Sequence, residues 1–212
     1  MNFERQIHPE MQRWKGSQRR IGLTGGIASG KSSVGRFLKE VYGFPIVDAD
    51  VFAKQALAPG SPLTNAVIKR YGKVVIDKNQ LTLSVLDRSA LAKIIFENTH
   101  ERTWLEGLIH PFVLDALNER ILELQHLPVI VIIAPLLFEA RLTCLCSEVW
   151  LVYCTLSQQV ERVIERDGLS ISEATQRINS QWNVDKKKQF SDILIDNTHT
   201  PNEWESLVKS LF

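Results

Sequence analysis

Eight consecutive residues, Gly25–Ser32, have the types and spacing needed to hold a nucleoside triphosphate. Their sequence, GGIASGKS, fits the pattern G-x-x-x-x-G-K-[ST] without a mismatch. Glycines permit backbone angles that turn consecutive N–H groups inward around a phosphate. Lys31 adds a positive charge near the β- and γ-phosphates, and the Ser32 hydroxyl can ligate Mg²⁺. An apolar strand before the loop and a periodic helix after it favour triphosphate binding over a chance glycine-rich turn.

Two carboxylates follow the next apolar segment, 45–47. Residues two apart in a strand face the same side, so Asp48 and Asp50 are both expected over the carboxyl edge of a sheet. Ligands of open α/β sheets bind at that edge, where a carboxylate could orient an attacking hydroxyl and accept its proton. We assign this role to Asp50, and we expect Asp48 to cap the helix that follows.

Three arginines lie on two predicted helices that Gly168 separates. Arg162 and Arg166 are one turn apart on the first helix, and Arg177 is on the second. Two helices joined by a glycine turn and rich in arginine are typical of a lid, because planar guanidinium groups suit the spread charge of a transferring phosphoryl group. Solvated helix faces would have the same composition, so this alternative stays open. Arg166, nearest the turn, is the preferred candidate.

Strands and helices alternate along the chain. The predicted strands are 20–24, 45–47, 129–133, 148–153 and 193–195, and the predicted helices are 32–42, 49–57, 63–71, 87–96, 101–124, 157–166, 170–181 and 201–211. Strands that are apolar throughout are buried on both faces. The pattern therefore predicts an α/β fold of the phosphate-loop (P-loop) NTPase type, with a parallel five-stranded sheet and flanking helices. Pro111 is expected to kink or break the long helix after His110.

Composition restricts the class of protein. The 212 residues carry a formal charge of +1, which removes the electrostatic argument for nucleic-acid binding. Three cysteines (Cys144, Cys146 and Cys154) fit a reducing compartment, so we expect a cytoplasmic protein. The interrupted apolar run 127–138 is too short to span a membrane. Residues 1–19 form a polar extension that we expect to be mobile, ahead of one domain over 20–212.

Several short motifs in a fixed order give the chain a family resemblance. They are LTGGIASGKSSV (23–34), VDAD (47–50), His110-Pro111, PLLFE (135–139), ERVIERD (161–167), RINSQ (177–181) and IDN (195–197). In order and spacing they resemble the dephospho-coenzyme A kinases from about residue 21 to residue 197. Ala28 stands where members often carry glycine, which is tolerable if its φ is negative.

The resemblance implies ATP-dependent phosphorylation of the ribose 3′-hydroxyl of dephospho-CoA, the last step of coenzyme A synthesis. ATP and Mg²⁺ would be the cofactors, and the partners would be small molecules only, with the chain a monomer or weak homo-oligomer. It also implies a nucleotide-binding core, a helical CoA-binding region over about 58–124 and a lid over about 160–182.

The expected site residues fall into three groups. Asp50, Lys31 and Arg166 are expected to be catalytic. The expected nucleotide-binding residues are Gly25, Gly26, Ile27, Ala28, Ser29, Gly30, Lys31, Ser32, Ser33, Arg162, Arg166 and Asn197. The expected substrate-binding residues are Asp50, Arg88, His110, Leu136, Leu137, Phe138 and Arg177.

Some assignments keep an alternative. Leu136, Leu137 and Phe138 are placed as exposed contacts for substrate, although core packing would explain them nearly as well. Lys187 belongs to a basic patch that is either a solvated face or an approach to phosphate. Ser32 is the expected metal ligand, with phosphates, water and Asp50 completing the shell, because strand 129–133 ends in Ala134-Pro135 rather than in an aspartate.

Two rival functions remain. One is a kinase for a nucleoside or nucleoside monophosphate. The other is a non-enzymatic nucleotide switch, which would need a guanine-reading N-K-x-D segment that the sequence does not contain.

Overall fold

A computed structural model describes residues 12–77 and 85–212 of the chain. In chain order its main elements are β1 (Arg19–Gly25), α1 (Lys31–Tyr42), β2 (Ile46–Asp48), α2 (Ala49–Ala56), α3 (Pro62–Tyr71), α4 (Arg88–Glu97), α5 (Thr99–Glu123), β3 (Val129–Ile133), β4 (Glu148–Tyr153), α6 (Leu156–Asp167), α7 (Ile171–Asn179), α8 (Val184–Gln189), β5 (Ile193–Asp196) and α9 (Pro201–Lys209). Short 3₁₀ helices occupy Gly72–Val75 and Leu142–Leu145.

The five strands form one parallel sheet in the order β2-β3-β1-β4-β5. This confirms the predicted fold class. β1 lies at the centre, and the chain leaves it towards β2 on one side and later reaches β4 on the other. Ligands of open α/β sheets bind at such a reversal of strand order, beyond the carboxyl ends of the strands. The fold therefore places the loop after β1 at the expected binding edge.

Helix α1 packs directly on the sheet, which fixes the helix end that follows the loop. Ile21 and Leu23 of β1 are fully buried, as are Val34 and Leu38 of α1. Gly35 lets the two layers approach, because a Cβ at this position would lie 2.6 Å from Ile133 Cδ1. The close approach holds α1 in one position relative to the end of β1.

Residues 49–122 form a second compact unit. This unit begins nine residues before, and ends two residues before, the range 58–124 that was expected for the substrate-binding region. Its apolar core includes Leu57, Val67, Leu91 and Leu105. The unit carries an ion pair between Arg70 and Glu101, with Arg70 Nη2 2.9 Å from Glu101 Oε1, and the Tyr71 hydroxyl donates to the same carboxylate at 2.6 Å. These donors lower the pKa of Glu101 to about 2.

The long helix α5 differs from the sequence expectation. It runs without a break through Pro111, which was expected to kink or break it. A proline ring crowds the carbonyl of the residue four positions earlier. That residue is Gly107, which has no side chain to add to the crowding and open space at its Cβ position.

The described part of the N-terminal extension is held against the sheet. The backbone N–H of Trp14 donates to the Cys146 carbonyl at 2.8 Å, and the Arg20 guanidinium lies 3.5 Å from the centroid of the Trp14 ring. Gln18 Nε2 donates to the Leu124 carbonyl at 2.8 Å. These contacts differ from the mobile segment expected over 1–19, of which residues 1–11 lie outside the described part. No helix in the described ranges is long and apolar enough to cross a membrane.

Candidate active site

Two glycines of the phosphate loop adopt conformations that other residues rarely reach. Gly25 has a φ of 155° and Gly30 a φ of 100°. A Cβ at Gly25 would collide with the Val152 carbonyl oxygen, and one at Gly30 would collide with the Asn197 side chain. The backbone angles and the close neighbours therefore both require glycine at these two motif positions.

Lys31 is folded back over the loop. Its side chain is largely buried, and Nζ donates to the carbonyls of Gly25 at 2.9 Å and Gly26 at 2.7 Å. The ammonium group is thus fixed at the mouth of the loop, at the start of α1. In this place it adds to the positive end of the helix dipole, which favours an anion.

The next three loop carbonyls accept hydrogen bonds from side chains far along the chain. The pairs are Ile27 with Gln159 Nε2 at 2.9 Å, Ala28 with Arg162 Nη1 at 3.3 Å, and Ser29 with Asn197 Nδ2 at 2.9 Å. A trans peptide directs its N–H opposite to its carbonyl. The N–H groups of Ala28, Ser29 and Gly30 therefore point away from these donors, and of the three the Ser29 N–H donates to the Gly26 carbonyl within the loop at 3.2 Å. That arrangement suits a phosphate cradle.

The Ser29 hydroxyl fits the same interpretation. The residue is fully buried, and its Oγ has no hydrogen-bond partner among the described residues. Buried polar atoms without a partner are rare in proteins. A phosphate oxygen bound inside the loop would supply one.

Ala28 corrects one expectation. Its φ is +56°, in the left-handed region, whereas the loop was expected to tolerate alanine with a negative φ. An L-residue in this region costs about 1–2 kcal/mol relative to a right-handed conformation. The hydrogen bonds that the carbonyls of Ile27 and of Ala28 itself accept hold the loop in this conformation despite the strain.

Replacing Ala28 with glycine is expected to stabilise the folded protein by about 0.5–1 kcal/mol, since glycine adopts a positive φ without strain. Thermal unfolding should show a Tm higher by about 1–4 °C. Ala53→Gly, within helix α2, is the matched control and should lower the Tm, because glycine weakens a helix interior. A lower Tm for Ala28→Gly would contradict the assigned strain.

Asp50 does not lie on a strand. β2 ends at Asp48, and Asp50 is an exposed residue in the first turn of α2. The argument that both carboxylates share a strand face is therefore wrong, because the chain turns into a helix between them. Asp50 still follows the carboxyl end of β2 by two residues of chain.

One carboxylate brings together two of the arginines that were predicted to belong to a lid. Asp167, the last residue of α6, accepts from Arg166 Nε at 2.8 Å and Nη2 at 2.9 Å, and from Arg177 Nη1 of α7 at 2.7 Å. The hydrogen bonds of Arg166 lower the pKa of Asp167, and this carboxylate raises the pKa of Arg166. Arg162 instead contacts the phosphate loop through the Ala28 carbonyl.

The expected substrate residues are distributed over both compact units. His110 is half-buried within α5, and Arg88 begins α4 and donates to the Lys54 carbonyl at 3.0 Å. Leu137 and Phe138 are fully buried, so the expectation that they are exposed to substrate is wrong, and Leu136 alone of the three is half-buried. The reason is packing, since the Phe138 ring stacks on Trp182 with ring centroids 5.9 Å apart.

Lys187 differs from the solvated face, one of the two alternatives stated for it, while the approach to phosphate stays a prediction. Its side chain is 1% exposed, and Nζ lies 3.0 Å from Glu139 Oε1 and 2.9 Å from the Pro135 carbonyl. Burial lowers the pKa of Lys187, while Glu139 opposes this shift. The lysine belongs to helix α8, which the sequence analysis missed although Asn183 caps it through the Lys186 N–H.

Sequence reasoning missed three polar residues, two of which bond to the phosphate loop. Gln159 and Gln181 both bond to Ile27, and Glu139 accepts from the Trp182 N–H at 2.9 Å. Gln181 and Glu139 lie inside two of the quoted motifs, RINSQ and PLLFE, and this was the available signal. Gln159 lies outside the quoted motifs, so the sequence offered no signal for it.

Comparisons with known proteins agree with this geometry. A family model described as dephospho-CoA kinase matches residues 19–203. A dephospho-CoA kinase of Prochlorococcus marinus (strain MIT 9313) is 50% identical over 199 residues, 94% of this chain and 98% of that protein. A Thermus thermophilus crystal structure superimposes with a TM-score of 0.76 at 29% identity, covering 92% and 97% of the two chains. The Campylobacter jejuni dephospho-CoA kinase has a TM-score of 0.62 at 25% identity, covering 91% and 94%.

Proposed function

The chain belongs to the dephospho-CoA kinase family, and we propose that the loop Gly25–Ser32 is where it transfers the γ-phosphoryl group of ATP to the 3′-hydroxyl of dephospho-CoA. The reaction is the final step of coenzyme A synthesis and leaves ADP. The observation that carries the proposal is Lys31, fixed on the Gly25 and Gly26 carbonyls beside a strained, outward-bonded loop. Such a loop binds a nucleoside polyphosphate.

Each proposed catalytic residue has one task. Lys31 stabilises the negative charge of the β- and γ-phosphates during transfer. Asp50 orients the 3′-hydroxyl and accepts its proton as the bond to phosphorus forms. When the lid closes, Arg166 leaves Asp167 and binds the phosphoryl oxygens instead. A guanidinium group can donate two parallel hydrogen bonds to either anion.

The Ser32 hydroxyl is the proposed protein ligand of Mg²⁺. Ser32 is exposed in the first turn of α1, next to Lys31, so its oxygen is accessible to an ion bound at the phosphates. In the described ranges no three His, Cys, Asp or Glu side chains group to hold a metal. This fits Mg²⁺, which keeps several waters and substrate oxygens in its shell and neutralises phosphate charge when bound.

Free cysteines support a reducing, cytoplasmic location as part of the proposal. Cys146 and Cys154 are buried thiols, and burial raises the pKa of Cys146 to about 12. A thiol with so high a pKa is not reactive.

A panel of acceptors tests the proposed function. Purified protein is mixed with ATP and Mg²⁺ and with dephospho-CoA, a nucleoside or a nucleoside monophosphate, and ADP release is measured. Release is expected with dephospho-CoA, and the product should carry its new phosphate on the 3′-oxygen. A reaction without acceptor measures background hydrolysis. Faster release with a nucleoside or its monophosphate would contradict the proposal and favour the rival kinase.

A further inference from the structure

One peptide group of the phosphate loop is held from both sides. The Gly26 carbonyl accepts from Lys31 Nζ at 2.7 Å and from the Ser29 N–H at 3.2 Å. The N–H of the same peptide, that of Ile27, donates to Gln181 Oε1 at 3.0 Å. Because a trans peptide is planar and directs these two groups in opposite directions, its orientation is fixed once both are bonded. Gln181 is thus connected to Lys31 through a single rigid plane.

We propose that Gln181 is a positioning residue for the phosphate loop. It holds the Gly26–Ile27 peptide in the orientation that the polyphosphate requires, and through this peptide it holds the Lys31 ammonium group. The contact joins residues 154 positions apart in sequence. The inference rests on the proposed function for its ligand, a nucleoside polyphosphate.

The backbone next to Gln181 is anchored to the segment that follows β3. The Trp182 N–H donates to Glu139 Oε1 at 2.9 Å, a short distance beyond the end of β3. The same carboxylate oxygen pairs with buried Lys187, whose Nζ also donates to the Pro135 carbonyl. The buried ion pair therefore helps to fix the segment that presents Gln181.

Aromatic packing restrains the same segment. The Trp182 ring is parallel to the buried Phe138 ring, with an interplanar angle of 4°, and it also contacts Phe190 at a centroid distance of 6.1 Å. The anchor thus combines a backbone hydrogen bond, an ion pair and ring stacking. A side chain on so rigid a support is suited to pre-organising a loop before ligand arrives.

The consequence for binding is specific. With Gln181 in place, the loop is ordered before the nucleotide enters, so less ordering accompanies binding. Once the phosphates are bound they hold the loop themselves. Loss of Gln181 should therefore weaken the binding of ADP and of ATP by the same factor and leave the rate of the chemical step nearly unchanged.

The test is Gln181→Met, which keeps the length of the side chain and removes the acceptor. Calorimetric titration should show Kd values for ADP and for ATP raised together by about three- to tenfold, the value of one net hydrogen bond. The kcat at saturating substrates should stay within about twofold, and the KM for dephospho-CoA should not change. Gln189→Met, the same substitution at an exposed position ending α8, is the control and should bind as wild type does.

Three results would overturn the proposal. They are an unchanged Kd for ADP, tighter binding of ADP, which would make Gln181 a competitor of phosphate, and a kcat at saturating substrates that falls well beyond twofold. If the methionine variant does not fold, Gln181→Asn, which is polar but one methylene shorter, is expected to show the same joint loss of affinity. A wild-type protein that binds ADP and fails to phosphorylate dephospho-CoA would contradict the proposed function and leave the ADP comparison intact.

Discussion

Lys31→Met is expected to lower kcat by at least about 10²–10³-fold, because a preorganised charge at the transferring phosphate acts mainly on the transition state. Methionine keeps most of the buried side-chain volume and removes the ammonium group that now bonds the Gly25 and Gly26 carbonyls. Steady-state kinetics with ATP and dephospho-CoA measure the loss. Thermal melts show whether the loop still folds without its two internal hydrogen bonds.

Lys39→Met is the matched control for this prediction. Lys39 is an exposed residue in the last turn of the same helix, α1, so the substitution removes an equal charge from the same element. Its kcat should equal that of the wild type. Retention of most activity in Lys31→Met would mean that Gly25–Ser32 is not the phosphate site.

Local sequence patterns were sufficient to predict the central strands of the sheet and the phosphate loop. Buried strands of β-branched and aromatic residues gave β3 and β4 with the bounds that the structure has, Val129–Ile133 and Glu148–Tyr153. The phosphate loop was equally predictable, since Gly25 and Gly30 adopt backbone angles that few other residues reach. These features depend on neighbours in sequence, which is why one sequence suffices to predict them.

Features that depend on distant contacts were not predictable. Leu137 and Phe138 look like exposed residues beyond a strand, and only the packing of Trp182 shows that they are core. The positive φ of Ala28 depends on hydrogen bonds from α6 to the loop carbonyls. A basic run such as Lys186–Lys188 favours a solvated face, yet Lys187 is buried by Glu139, an ion pair across 48 residues of chain.

Asp50→Asn is expected to lower kcat by about 10²–10⁴-fold, the usual range for removing a general base. A loose phosphoryl-transfer transition state asks little of a base, because the acceptor hydroxyl loses its proton late. The main contribution of the carboxylate is therefore to orient the 3′-hydroxyl, with proton acceptance following. Asparagine keeps the size and one acceptor oxygen, and Asp50 is exposed in the first turn of α2, so the fold and the affinity for ATP should persist.

Asp48→Asn is the control that distinguishes a catalytic role of Asp50 from a general effect of removing a carboxylate in this segment. Asp48 is the last residue of β2, two positions before Asp50, and the same amide substitution there should cost much less activity. Both variants are assayed at saturating ATP and dephospho-CoA, with a thermal melt of each. Equal losses, or a large loss at Asp48 alone, would move the catalytic role off Asp50. A loss at Asp50 that follows a fall in Tm would make its role structural, because a residue that acts only on the acceptor hydroxyl changes kcat without changing the stability of the fold.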